Sequence, residues 1–154
     1  MRISIVAVGR LRAGPEKTLF EQYLKRLPWP LSVREVAAEP AGRGAEERRR
    51  RESERLSEAL PDKTSIVALD ERGRALSSEV FAKLLGDWRD RGTAEIAFVI
   101  GGAAGLDEPL RRRAELVLSL GPMTWPHLVV RALLAEQLYR AHSILAGHPY
   151  HRGG

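Results

Sequence analysis

Five short apolar runs rich in β-branched residues, Ile3 to Val8, Leu31 to Ala37, Ser65 to Leu69, Ile96 to Ile100 and Leu116 to Leu120, are separated for the most part by longer stretches of helical periodicity. Several of these runs are nearly continuous in hydrophobicity, which suits strands covered on both faces, and parallel strands need helical crossovers between them. The order βαβαβαβαβα therefore predicts an α/β fold, a mostly parallel sheet flanked by helices. A chain of 154 residues carries one hydrophobic core of this kind, so residues 1–154 read as a single domain.

The helical stretches have local start and stop signals. Pro15 suits a first turn, Leu19, Phe20, Tyr23, Leu24 and Leu27 recur at helical spacing, and Pro28 ends the pattern. Ser77 or Ser78 is expected to cap a third helix that turns Val80, Phe81, Leu84, Leu85 and Trp88 inward and stops near Gly92. Between Gly44 and Leu60, AEERRRRESERLSEAL sets Glu46 before Arg50 and Glu47 before Arg51 at i,i+4. The run Arg48 to Arg51 reads first as an internally paired, solvated face, with an RNA-phosphate footprint as the alternative.

The last helix, roughly His127 to Ala146, is apolar over more of its circumference than a surface helix needs, so a partner subunit is one source of cover. His127, Arg131 and His142 share one stripe, and Glu136, Arg140 and Ser143 a roughly opposite one. Arg140 has Glu136 at i,i+4. Arg131 has no such partner, which points to a ligand, the C-terminal tail or another subunit.

Several chemistries are disfavoured. The chain has no cysteine, hence no disulfide, thiolate metal site or cysteine nucleophile. There is no G-x-S-x-G elbow, no phosphate-binding P-loop and no G-x-G-x-x-G, which counts against a dinucleotide enzyme. Asp70 and Glu71 run into an Arg72-Gly73 turn, and His148 and His151 have no adjoining third ligand, so no metal is expected. The N-terminal apolar run is short for a signal peptide and nothing reaches the length of a membrane span, so the expectation is a cytoplasmic protein without a membrane partner. A net charge of +5 makes a polyanion a natural partner. Transfer from a bound, activated donor remains, and Gly101 and Gly102 in VIGGAAGL lie where open α/β sheets bind ligands, at a strand's carboxyl end.

Taken in order and spacing, MRISIVAVGR, VALD ending just after Leu69, VIGGAAGL, LSLGPMTWPH, VVRALLAEQLYRA and the terminal HPYHR resemble the RlmH family of ribosomal RNA methyltransferases across essentially the whole chain. The resemblance implies a SPOUT-class fold with a deep C-terminal trefoil knot, against the general rule that chains are unknotted, and a homodimer. It implies transfer of methyl from S-adenosylmethionine to N3 of a pseudouridine in helix 69 of the 23S rRNA, on the assembled ribosome. Leu69, Gly101, Leu120, Gly121, Pro122, Met123, Thr124 and Trp125 match the family's cofactor-binding positions. Tyr150, His151 and Arg152 match the catalytic tail, and His127 and Arg131 match polar positions taken to bind substrate. Where the family loop commonly reads GGPEGL, Ala103 and Ala104 replace Pro-Glu, which removes a loop carboxylate and leaves the glycines in place. The competing class is a non-enzymatic RNA- or ribosome-binding protein whose basic surface does the work.

Overall fold

The computed structural model describes residues 1–152. In chain order the elements are β1 (Arg2–Val8), α1 (Pro15–Arg26), β2 (Leu31–Val36), α2 (Ala45–Ala59), β3 (Ser65–Ala75), α3 (Ser78–Asp90), β4 (Glu95–Ile100), α4 (Glu108–Arg113), β5 (Leu116–Ser119) and α5 (His127–Leu145). The strands form one sheet in the order β2-β1-β4-β3-β5, with every pairing parallel. The central strands β1 and β4 are buried on both faces, as their unbroken hydrophobicity requires. β2 is an edge strand whose middle four residues are exposed.

Two apolar clusters fill the two faces. On one, α1, α3 and α5 pack around Ile5, Phe98, Phe81, Leu85 and Leu138; on the other, α2 and α4 cover Val6, Val99, Leu56 and Leu110. Ser77 caps α3, its hydroxyl accepting from the Val80 amide at 3.1 Å, and the chain leaves that helix through Gly92. Two residues of the expected apolar stripes stay outside the core: Leu19 and Val80 are 44% and 48% exposed, because α1 and α3 flank α5 and turn only part of their apolar arc onto it.

β3 runs six residues beyond the expected Leu69. Its first half pairs Leu69 with Leu118; Asp70 to Gly73 then bulge out, and Arg74 returns to the same Leu118. Gly73 permits this because any Cβ there would lie 2.5 Å from the Val117 carbonyl oxygen. The excursion places Asp70, Glu71 and Arg72 as a lip beside the C-terminal ends of β3 and β5.

Candidate active site

A cavity of about 1070 Å³ opens at the carboxyl edge of the sheet, where β3, β4 and β5 run out into loops. This is the edge at which open α/β sheets bind ligands. Leu69 forms part of its wall, and the loop after β5 supplies Leu120, Gly121, Met123, Thr124 and Trp125. That loop is tied down from below. Gly121, at φ +109, turns the chain; its amide donates to the Ser119 hydroxyl at 3.0 Å, and Thr124 donates to a Glu71 carboxylate oxygen at 2.9 Å. Sequence reasoning missed Glu71, whose value as an anchor appears only when the β3 bulge brings it across 53 residues to Thr124.

Met123 and Trp125 remain 73% and 44% exposed, an unusual arrangement for large apolar side chains at a cavity wall and one a flat apolar ligand would cover. Acidic groups also reach the cavity. Asp70 is held by Arg72 at 3.0 Å and Arg111 at 3.3 Å, whereas Glu108 reaches only Arg112 on the outer side of its short helix.

The glycine loop enters through Gly102 to Leu106, and Gly101 itself lies behind the cavity surface. Its role is mechanical. A Cβ on Gly101 would stand 2.8 Å from the Gly105 carbonyl carbon and 3.1 Å from Leu106, so only glycine lets the loop fold back on itself. Pro122 likewise does not face the cavity.

His127 opens α5 and lines the cavity next to Gly9, where glycine is favoured by a φ of +90 and an ideal Cβ would meet the imidazole Nε2 at an ordinary 3.5 Å. Burial, reinforced by the Arg131 charge and opposed by Glu52, holds its pKa below the ordinary histidine range. The side chain is therefore a neutral imidazole at physiological pH.

Arg131 corrects the expectation that its partner would be a ligand, the tail or a second subunit. It is completely buried one turn into α5, where Glu35 of β2 takes one amino group and the carbonyls of Val8 and Gly9 take the other at 3.0 and 2.6 Å. The guanidinium is thus spent on fastening α5 to the end of β1 and does not reach the cavity surface.

Nor do Tyr150, His151 and Arg152 line the cavity of their own chain. The tail lies instead along α1, α3 and α5. Tyr150 donates to Glu136 at 3.0 Å and stacks edge-on against Tyr139 at 4.8 Å. Burial, with the hydrogen bonds to Tyr23 and Glu136, pushes the Tyr150 phenol pKa well above its usual value, so it stays protonated. Arg140, paired with Glu136 as the helical spacing predicts, also donates to His151 Nδ1 at 3.0 Å. An arginine only donates, so Nδ1 accepts and the ring proton sits on Nε2, 2.8 Å from Glu79. That bond to His151 is the main reason the Glu79 carboxyl is held below its usual pKa.

A cavity at the carboxyl ends of a parallel sheet, walled in part by the loop that joins a short strand to a long last helix, makes this an α/β fold built to hold a ligand. The family described as "Predicted SPOUT methyltransferase" matches residues 1–151. Full-length similarity extends to proteins called ribosomal RNA large subunit methyltransferase H: 59% identity in Rhodospirillum centenum and 54% in Paramagnetospirillum magneticum, each covering 99% of both chains. The chain belongs to this SPOUT methyltransferase family and, within it, to the RlmH group. Its fold is also that of a probable methyltransferase from Bordetella pertussis Tohama I, at a TM-score of 0.56 and 15% identity over 91% of this chain and 95% of that one. A probable methylase family protein from Haemophilus influenzae Rd KW20 gives the same TM-score at 12% identity, over 96% of this chain and 69% of its own.

Proposed function

We propose that this protein methylates large-subunit ribosomal RNA from S-adenosylmethionine, at N3 of a pseudouridine in helix 69 of 23S rRNA on the assembled ribosome. The observation that carries the reading is the cavity itself: apolar Leu69, Leu120, Met123 and Trp125 on one wall, acidic Asp70, Glu71 and Glu108 around it, at the edge of the sheet where a ligand belongs. With Asp70 paired to Arg72 and Arg111, the lining carries both signs, which fits a molecule that joins a flat purine to a sulfonium and to an amino-acid end bearing an ammonium and a carboxylate. At about 1070 Å³ the cavity is slightly larger than the roughly 300–1,000 Å³ typical of ligand sites, leaving space for a base beside the cofactor. Met123 and Trp125 would cover the purine, and the loop from Gly102 to Leu106 the remainder.

When bound, S-adenosylmethionine supplies a methyl group already activated by its sulfonium. What the protein adds is alignment and handling of the proton that leaves N3. Neutral His127, at the cavity wall, orients the acceptor base or its water. In the tail, His151 presents an imidazole of fixed tautomer, with Nδ1 turned to Arg140, while Tyr150 acts as a donor. Arg152 supplies positive charge for the developing anion or a nearby phosphate.

Because the tail lies outside its own chain's cavity, the working enzyme is a homodimer in which one copy's tail meets the other copy's cavity. The broadly apolar α5 and the exposed Leu19 and Val80 beside it are consistent with a second copy there. The trefoil knot belongs to the same proposal: after β5 at one edge, the chain turns back so that Arg131 of α5 binds the end of β1, beyond β3 and β4. Among the described residues no three of His, Asp and Glu converge as a metal site would need, and no helix is long and apolar enough to cross a membrane. The reading places the enzyme with ribosomes in the cytoplasm.

The test is to incubate the protein with labelled S-adenosylmethionine and either intact ribosomes or naked rRNA, then map the modified nucleotide. Label at one helix 69 pseudouridine, on ribosomes only, is the expected result. Absence of transfer together with salt-sensitive RNA binding would support the adaptor class instead.

A further inference from the structure

The arginine run of α2 has a division of labour that neither sequence reading anticipated. Arg51 pairs with Glu47 at 2.8 Å, and Arg50 is shared between Glu47 at 3.2 Å and Glu54 at 2.9 Å, while the anticipated Glu46 to Arg50 pair does not form. Those two arginines are neutralised within the helix. Arg49 is different: its only hydrogen bond is from Nε to the Ala104 carbonyl at 2.8 Å, and among the described residues no carboxylate lies within ion-pair distance of it.

The face of α2 carrying Arg49 is pressed onto the glycine loop at two further points. One turn on, Ser53 accepts from the Asp107 amide at 2.9 Å, and Glu52, fully buried, lies so close to Gly102 that a Cβ there would be 3.0 Å from its oxygen. Residues 49, 52 and 53 fall on one side of a helix, so the three contacts fix both α2 and the Arg49 stem against the loop. The guanidinium is half-buried at the cavity rim, with its Nε engaged and both amino groups, Nη1 and Nη2, unspent. Of the other arginines on that rim, Arg72 and Arg111 are both bound to Asp70, and Arg50 to its glutamates. Arg49 is therefore the one rim arginine, among the described residues, that is preorganised yet uncompensated. Glu46, one turn earlier on the same helix, also lines the cavity but forms no ion pair with Arg49.

We propose that Arg49 is a substrate-binding residue that grips a backbone phosphate of the RNA entering the cavity. A guanidinium held through Nε presents its two amino groups as a planar fork, the geometry that suits a phosphate with two oxygens. A phosphate ranks above the cofactor's carboxylate as occupant because Arg49 is only half-buried and bonds Ala104, next to the exposed Ala103, where a polyanion can approach from solvent. The assignment rests on the RNA-methylating reading above and adds to it the residue that anchors substrate on the α2 side.

The experiment compares wild type with Arg49→Gln and Arg49→Lys, reading ribosome affinity between about 50 and 200 mM KCl at fixed magnesium, cofactor affinity by calorimetry, and melting temperature. Glutamine retains an amide donor for Ala104 without the charge; lysine retains the charge without the fork. Arg49→Gln is expected to lower ribosome affinity about five- to tenfold at low salt and to flatten the salt slope by about one unit, as loss of one phosphate contact does. Arg49→Lys should keep the slope. In both variants, cofactor affinity should match wild type. An unchanged slope in Arg49→Gln overturns the proposal, as does a weakened cofactor affinity with normal salt dependence, which would make Arg49 a ligand for the cofactor's carboxylate or a loop support. A wild-type protein that transfers no methyl to ribosomes would instead fail the underlying reading, whatever Arg49 does.

Discussion

Arg131 and Glu35, 96 positions apart, form an ion pair in which the arginine is wholly enclosed and the glutamate two-thirds covered. The pair joins the last helix to the edge of the sheet, and the same guanidinium holds the carbonyls of Val8 and Gly9. Its two amino groups carry the compensation for the enclosed charge and hold the side chain in place, while the buried Nε has no partner among the described residues. Glu35 gains in turn: burial raises its pKa, but the Leu11 amide at 2.7 Å and Arg131 outweigh that and leave it lowered.

Removing the carboxylate leaves the arginine charge enclosed with two carbonyls alone. Glu35→Ala should cost about 1–3 kcal/mol, the lower part of the range for a broken buried pair because the glutamate is partly wet. Urea denaturation measures it. A midpoint equal to wild type would show that Arg131 finds equivalent solvation.

Stability should fall on mild acidification. His127 has a folded pKa below its unfolded value near 6.5, so the unfolded chain takes up protons first and stability drops as pH falls from about 6.5 through the lower folded pKa. His142, lowered by burial and by His148, adds to the same slope. Urea midpoints between pH 7.5 and 5 should show the decline, and His127→Gln should make it shallower. Wild type and variant with the same pH dependence would count against His127 as a source.

The loop's fold-back on Gly101 can be tested by filling it. Gly101→Val should weaken S-adenosylmethionine binding by at least about tenfold, since its side chain drives into Gly105 and Leu106 and displaces the residues that line the cavity. Calorimetry gives the affinity, and circular dichroism confirms that the fold persists. Undiminished affinity would separate the loop from the cofactor site.

The tail should matter to chemistry more than to cofactor binding. His151→Ala is expected to slow single-turnover methylation of ribosomes by about 10²-fold, as removing one preorganised donor to developing negative charge does. Arg152→Ala should weaken RNA engagement or rate. Cofactor affinity should be retained in both, because the proposed partners of these residues are the RNA base and its phosphate. Normal single-turnover rates for His151→Ala would remove it from the mechanism.

Much of the sheet was legible from sequence because β1 and β4 are buried on both faces and so carry unmixed apolar runs. Several local signals held where a residue's partner is a few positions away, as with Ser77 and Val80 or Glu136 and Arg140, but Arg50 chose Glu47 and Glu54 over Glu46. Arg131 was opaque for the opposite reason: its partners are set by tertiary folding, and no spacing rule reaches Glu35. The second half of β3 was hidden by Asp70-Glu71-Arg72-Gly73, which reads as a turn and is in fact a bulge. Of the cavity, the apolar wall at Leu69 and in the loop after β5 was foreseen through the family resemblance, whereas Glu71, Arg49 and the distance between tail and cavity emerge only in three dimensions.

The fastening of α5 to the end of β1 also dictates when the molecule becomes complete during its own synthesis. The first strand is among the earliest segments made, yet the clasp on Val8 and Gly9 arrives more than 120 positions later. Contacts of such sequence separation form slowly, because a long loop must close before they return any free energy. A nascent chain therefore carries its first strands without their final lock, and a polypeptide cut short before α5 would lack both that lock and one wall of the cavity.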